Sequence, residues 1–266
     1  MDANIQTVSG PAGPADAKRI GATYRMLRKR DPGALFVPAP PAAAGDQVFE
    51  CGGGPCGVDT LRAYEAMIAL HRAAILQGFR HSSQRRVVCE IATGNGEFAY
   101  QFKTLCGHVT YVICGPDALV SNQAALLRTA LPDARFSTGD AAPFGRSKTG
   151  WADDDFILRP QSSGIEGLPD RIDLLVFGCS VDAWTTPTVD AYLAHAHAVE
   201  CPFVYGVSAS DTGAGGDSLT VRTILNRYYW LREFPILPGG QPSPAGEREQ
   251  SRPSTHVIGW RRVRVA

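Results

Sequence analysis

The chain has 266 residues, enough for one large domain, or one domain with an appendage, at roughly 150 residues per domain. Hydrophobic residues make up 44% and charged residues 20%, which suits a globular protein with a real core and excludes a disordered chain. Lys plus Arg and Asp plus Glu both number 26, so the formal charge is zero. The basic excess of a protein built to hold nucleic acid or an anionic membrane is missing, and neither is expected as a partner.

The longest apolar stretch, residues 63–79, is interrupted by Glu65, His71 and Arg72 and cannot cross a bilayer. Met1-Asp2-Ala3-Asn4 has neither a basic nor an apolar leader region, so no secretory signal is expected. Seven cysteines follow no repeating spacing, and Cys89, Cys114 and Cys179 sit in or beside apolar runs. That pattern favours reduced thiols and a cytoplasmic protein. Cys51 and Cys56 are the only close pair; their spacing is not that of a zinc site, and no metal is expected.

Residues 10–14 and 38–45 are rich in Pro, Ala and Gly and read as irregular coil. Between them Ile20, Tyr24 and Leu27 recur at helical spacing over 17–30, and Asp31-Pro32-Gly33 stops the helix. A second helix is predicted over 58–77, with Leu61, Tyr64, Ile68 and Ile75 on one stripe and Asp59 or Thr60 near its start. Residues 1–80 therefore read as a helical N-terminal arm, and 81–266 as the main domain. There, strands are predicted at 87–91, 109–113, 134–137, 172–177 and 203–207. Helices are predicted at 97–105, 118–130, 188–199 and 219–232. This alternation calls for a doubly wound, mostly parallel α/β sheet. Segments 234–237 and 256–265 read as an antiparallel closing pair, and 143–170 as a long polar insertion between two strands.

The sharpest signal is Glu90-Ile91-Ala92-Thr93-Gly94-Asn95-Gly96-Glu97-Phe98. Two glycines where a strand turns into a helix let the backbone turn tightly and a cofactor lie against it. The carboxyl end of the first strand is also where open α/β sheets bind ligands. Gly94-x-Gly96-x-x-Ala99 satisfies a loose dinucleotide fingerprint as well. Glu90, four residues before the first glycine, separates the two readings. An acid so close would repel a pyrophosphate and attract a cationic amino-acid group.

An acid, three residues and Gly-x-Gly resembles motif I of class I S-adenosylmethionine-dependent methyltransferases, a Rossmann-like family that finishes in antiparallel strands. The resemblance places S-adenosylmethionine, and its product S-adenosylhomocysteine, against Glu90, Thr93, Gly94 and Gly96. Tyr111 to Leu119 resembles the second-strand segment of sugar O-methyltransferases, as does Gly178-Cys179-Ser180-Val181-Asp182-Ala183-Trp184 with Thr186-Pro187 for the segment after strand four. Together these cover roughly the last two thirds of the chain. The acid that ends strand two in that family falls at Cys114, with Asp117 three residues on; Asp140 would face the adenine amino group, and Ser180 would stand beside the cofactor. The resemblance implies O-methylation of a small molecule, a sugar or glycoside, in secondary metabolism, and allows a homo-oligomer through the arm.

Methyl transfer to a hydroxyl needs a group to take the proton. Asp182, after strand four, and His256, opening the last strand, are the catalytic candidates. Asp153-Asp154-Asp155 is a charge run of the kind that is solvated in a long loop. A nicotinamide-dependent oxidoreductase using the same turn, and a non-catalytic ligand-binding protein keeping the fold, are the alternatives.

Overall fold

The computed structural model describes residues 14–40, 48–91, 94–138, 154–177, 186–208, 217–237 and 255–262. Helix α1 (Pro14–Arg28) leads to a hairpin of β1 (Phe49–Cys51) and β2 (Gly54–Cys56), followed by α2 (Val58–Arg72) and α3 (Ile75–Arg80). The single predicted helix over 58–77 is broken because Ala74 adopts a left-handed conformation with φ +60°. Cys51 and Cys56 are joined by a disulfide across the hairpin, which corrects the expectation of uniformly reduced cysteines. Cys89, Cys106, Cys114 and Cys201 are free and buried, as that expectation had it for the main domain.

The sheet begins with β3 (Arg86–Ile91), α4 (Glu97–Leu105), β4 (Val109–Gly115) and α5 (Asp117–Ala130). It continues through β5 (Phe136–Thr138), β6 (Phe156–Pro160), β7 (Leu174–Phe177), α6 (Thr186–Ala198) and β8 (Phe203–Ser208). The chain then forms α7 (Asp217–Tyr228), β9 (Tyr229–Pro235) and β10 (Thr255–Arg261). These make one eight-stranded sheet in the order β5-β6-β4-β3-β7-β8-β10-β9. Strands β5, β6, β4, β3, β7 and β8 run parallel, while β10 pairs antiparallel with both β8 and β9. The expected doubly wound, mostly parallel sheet with an antiparallel finish is what forms.

Three further sequence expectations change. The insertion expected over 143–170 contains a full sheet strand, β6, which pairs with β4 from Tyr111↔Phe156 to Gly115↔Pro160. The segment read as strand three becomes the short edge strand β5. The helix expected to reach residue 232 ends at Tyr228, because Tyr229 to Pro235 pair along β10. Aromatic and β-branched residues favour such a pleated edge over a further helical turn.

Alternation divides the strands between two cores. Val88, Tyr111, Ile113, Leu158, Val176, Tyr205 and Ile258 pack under the helices of the first half, while Cys89, Cys114, Leu175, Phe177 and Val204 pack under α6 and α7. Helix α2 is buried from Thr60 to Leu70, except at Arg62, and its apolar residues lie in the same core as β3 and β4. The core is continuous across residue 80.

Asp155, at the entrance to β6, is a structural anchor. Its Oδ1 accepts hydrogen bonds from Lys103 Nζ at 2.6 Å and an Arg85 guanidinium nitrogen at 3.0 Å, and its Oδ2 accepts the Arg135 N–H at 3.0 Å. Burial alone would push this carboxyl up, but the hydrogen bonds from Lys103 and Arg135 and the Lys103 charge hold it below the usual carboxylate range. Asp155→Asn is expected to destabilise the fold by about 2 kcal/mol at neutral pH, the scale of charge-assisted hydrogen bonds lost at a half-buried site, read from the urea midpoint.

Candidate functional site

The parallel strands β3, β4, β6, β7 and β8 present their carboxyl ends on one rim, the edge where open α/β sheets receive ligands. Strand β3 lies between β4 and β7, with Ile91 level with Cys114 on one side and Phe177 on the other. Glu90 therefore sits one residue from the end of an inner strand, on the face that carries Val88 and Tyr111. It is 3% exposed, and Tyr111 Oη donates to its Oε2 at 2.6 Å. Burial lifts the Glu90 carboxyl from its ordinary 4.5 to about 7, against the opposing effect of the Tyr111 hydrogen bond. Burial, then the charge of Glu90, push the Tyr111 phenol far up, so it stays a donor. Among the described residues no Lys or Arg pairs with Glu90.

Beyond β3 the chain turns through Gly94, Asn95 and Gly96 into α4. Gly96 caps the helix with φ +100°, a conformation that disfavours any side chain. Asn95 Oδ1 accepts the Glu97 N–H at 3.0 Å and closes the first helical turn. At Gly94 the space is open: among the described residues, apart from its chain neighbours, no heavy atom lies within 4 Å of where a Cβ would stand. The site thus combines a buried carboxylate without a cation and, three residues past the end of its strand, a backbone cradle with room beside it. A ligand bearing an ammonium group next to a flat or extended portion fits that pair.

Of the residues named from sequence, Glu90, Gly94 and Gly96 are brought together at this rim. Asp117 is exposed in the first turn of α5, which follows β4 at the same end of the sheet. Thr93, Asp140, Ser180 and Asp182 lie outside the described residues. Cys114 is fully buried on the opposite face, its Sγ 3.9 Å from Cys89 Sγ, so it presents nothing to the face that carries Glu90. His256 is 2% exposed. Its Nδ1 pairs with Tyr205 Oη at 2.8 Å, and its Nε2 stands 3.4 Å from Glu65 Oε1 on α2, within ion-pair distance. Both ring nitrogens face protein groups. Register sets His256 beside Val207, near the carboxyl end of β8.

Sequence reasoning missed Tyr111, Tyr205, Glu65 and Gln123. Each reads as part of an ordinary amphipathic or apolar stripe, and only the strand register or helix packing shows what its polar end reaches. Asp59 was visible as a helix-start residue; its bond to Asn95 was not. Among the described residues no group of His, Cys, Asp and Glu could hold a metal ion, and Asp155 of the acidic run belongs to the anchor described above.

No family model and no curated protein matches the sequence. In structure, the chain is similar to an O-methyltransferase candidate from Klebsiella pneumoniae, with TM-score 0.53 and 10% identity over 94% of this chain and 100% of that one. It is also similar to magnesium protoporphyrin IX methyltransferase from Synechocystis PCC 6803 solved with S-adenosylhomocysteine, at TM-score 0.45 and 10% identity over 93% and 98% of the two chains. Precorrin-6y C5,15-methyltransferase from Geobacter metallireducens gives TM-score 0.45 and 12% identity over 72% of this chain and 87% of that one. The first likeness shows a shared fold, the mostly parallel α/β sheet with an antiparallel finish. No helix among the described residues is long and apolar enough to cross a membrane.

The buried carboxyl predicts a pH dependence of stability. A group whose folded pKa is raised contributes most when protonated, below about 4.5, and that contribution is lost as pH rises to about 7. The ligand-free protein should lose up to about 3 kcal/mol over that interval from Glu90 alone. In Glu90→Gln, which keeps an acceptor for Tyr111 and carries no charge, this loss should vanish. Urea midpoints of both proteins at pH 5 and pH 8 measure the difference.

Proposed function

We propose that this chain is an S-adenosylmethionine-dependent methyltransferase acting on a hydroxyl of a small molecule, of which a sugar or glycoside is the class that the resemblance favours. One observation carries the reading: the buried, cation-free carboxyl of Glu90 beside the open turn at Gly94, on the inner strand of a class I methyltransferase fold. S-adenosylmethionine, when bound, supplies an electrophilic methyl on sulfur for in-line displacement by the acceptor oxygen. Glu90 would hold the ammonium of its amino-acid portion, with Thr93, Gly94 and Gly96 forming the surface beneath. Asp117, exposed at the start of α5, is the proposed acceptor for the ribose hydroxyls in place of residue 114, and Asp140 the proposed partner of the adenine amino group. Ser180 and Asp182 follow β7 in sequence, and Asp182 is the proposed base for the acceptor's proton. His256 is proposed to act through Tyr205, since both its nitrogens already face protein groups.

A nicotinamide cofactor fits this turn poorly, because its pyrophosphate would meet a buried carboxyl whose ionisation it opposes, with no Lys or Arg among the described residues paired there to balance it. Titration calorimetry with S-adenosylhomocysteine and NAD tests the reading. Wild type should bind the first and not the second. Gly94→Val should abolish binding while leaving the melting temperature unchanged, because the added methyls enter open space. This variant is cleaner than one at Gly96, where φ +100° adds backbone strain. Binding of NAD instead, or equal affinity in Gly94→Val, would overturn the assignment.

A further inference from the structure

The glycine turn is held from two sides by residues outside the motif. From α2, Asp59 Oδ2 accepts a hydrogen bond from Asn95 Nδ2 at 3.0 Å. The same Asn95 side chain accepts the Glu97 N–H, so it links α2 to the first turn of α4. From α5, Gln123 Nε2 donates to the Gly94 carbonyl at 2.7 Å. The Gln123 Cα, Cβ and Cγ each lie 3.5 Å from where a Cβ on Gly96 would stand, so this residue also backs the second glycine.

Gln123 is an uneconomical choice for packing. It is fully buried, and among the described residues its Oε1 has no hydrogen-bond partner. A dry amide oxygen lowers stability, and an apolar side chain of the same length would fill the space without that loss. What an apolar side chain lacks is the donor to Gly94. Asp59 is a half-exposed helix-start residue whose Oδ1 accepts from Arg62 at 2.9 Å and whose Oδ2 reaches the sheet rim at the Asn95 amide.

We propose that Asp59 and Gln123 are positioning residues for the turn, a two-sided clamp that holds Gly94–Gly96 in the shape the ligand requires. The proposal rests on the reading of this turn as the cofactor site. Gln123 ties the Gly94 carbonyl back toward α5, which keeps the turn from swinging into the open space beside Gly94. Asp59 fixes the Asn95 amide and, through it, the Glu97 N–H at the mouth of α4. Helix α2 is in this way a working part of the site.

The experiment compares S-adenosylhomocysteine affinity, melting temperature and hydrogen exchange at the ligand-free Glu97 amide. The proteins are wild type, Gln123→Met, Asp59→Ala and Asp59→Asn. Gln123→Met should lose about tenfold in affinity, the scale of one hydrogen bond's consequences, with a melting temperature equal to or above wild type. Asp59→Ala should lose a similar factor and exchange Glu97 faster, and Asp59→Asn should restore both, since its amide oxygen still accepts from Asn95. Wild-type affinity in Gln123→Met, a fall in its melting temperature, or an Asp59→Asn that behaves as Asp59→Ala would overturn the clamp. Should wild type fail to bind S-adenosylhomocysteine, the proposed function falls by itself. The Glu97 amide then still decides the clamp, which is refuted if Asp59→Ala exchanges at the wild-type rate.

Discussion

A carboxyl group buried at the end of an inner β-strand is the constraint around which this molecule is arranged. Glu90 stands where its neighbours Cys89 and Ile91 are apolar and fully enclosed, and the described residues answer it with one donor, the Tyr111 hydroxyl. An ionised carboxylate normally demands more than that, either a cation or several N–H groups. Here the imbalance holds the group near neutrality with its pKa at about 7. Perturbed groups of this kind concentrate at functional sites, where the missing partner is a ligand. Three residues past the end of the same strand Gly94 has open space beside it, so the charge and the cradle are set by one short stretch of sequence.

The rest of the fold can be read as support for that stretch. The parallel order places β3 between β4 and β7, which buries Glu90 on both flanks, and Tyr111 reaches it from two residues deeper on β4. Helices α2, α4 and α5 supply the layer above, and α2 and α5 each send a polar side chain to the glycine turn. On the far side of the same face, Glu65 of α2 approaches His256, which pairs with Tyr205, and the Tyr205 ring stacks on Phe98 in the first turn of α4 at 5.6 Å. Helix α2 thus meets the rim at two separate points, one at the turn and one near the end of β8. The lower face, under α6 and α7, is apolar by comparison, and it is there that Cys114 resides.

Much of this was legible in the sequence because local pattern and tertiary role agree. The alternation of short apolar runs with helices led to the correct sheet, and the run from Glu90 to Gly96 marked the rim because glycine pairs at a strand-to-helix turn have few other uses. Where pattern failed, a tertiary contact had overruled it. Strand β6 is only five residues long and opens beside acidic residues, so it read as loop until Asp155 was seen paired with Lys103 and Arg85. Position 114 aligned with a ligand acceptor by motif spacing, yet strand alternation turns its side chain to the opposite face from Glu90. His256 drew attention because it opens a strand beside a long polar segment; that it is buried, with Tyr205 and Glu65 at its ring nitrogens, was not readable from that pattern. Gln123 carried no signal at all, since a lone glutamine in an amphipathic helix reads as surface.

The central claim is that Glu90 waits largely protonated for a cationic ligand group. Calorimetry of S-adenosylhomocysteine binding at pH 6, run in two buffers of different ionisation enthalpy, measures the protons exchanged on binding. A carboxyl with a pKa of about 7 that becomes the partner of an ammonium must give up its proton, so the account predicts release of nearly one proton per ligand, abolished in Glu90→Gln. Tight binding with no proton released, or with the same release in Glu90→Gln, would contradict it.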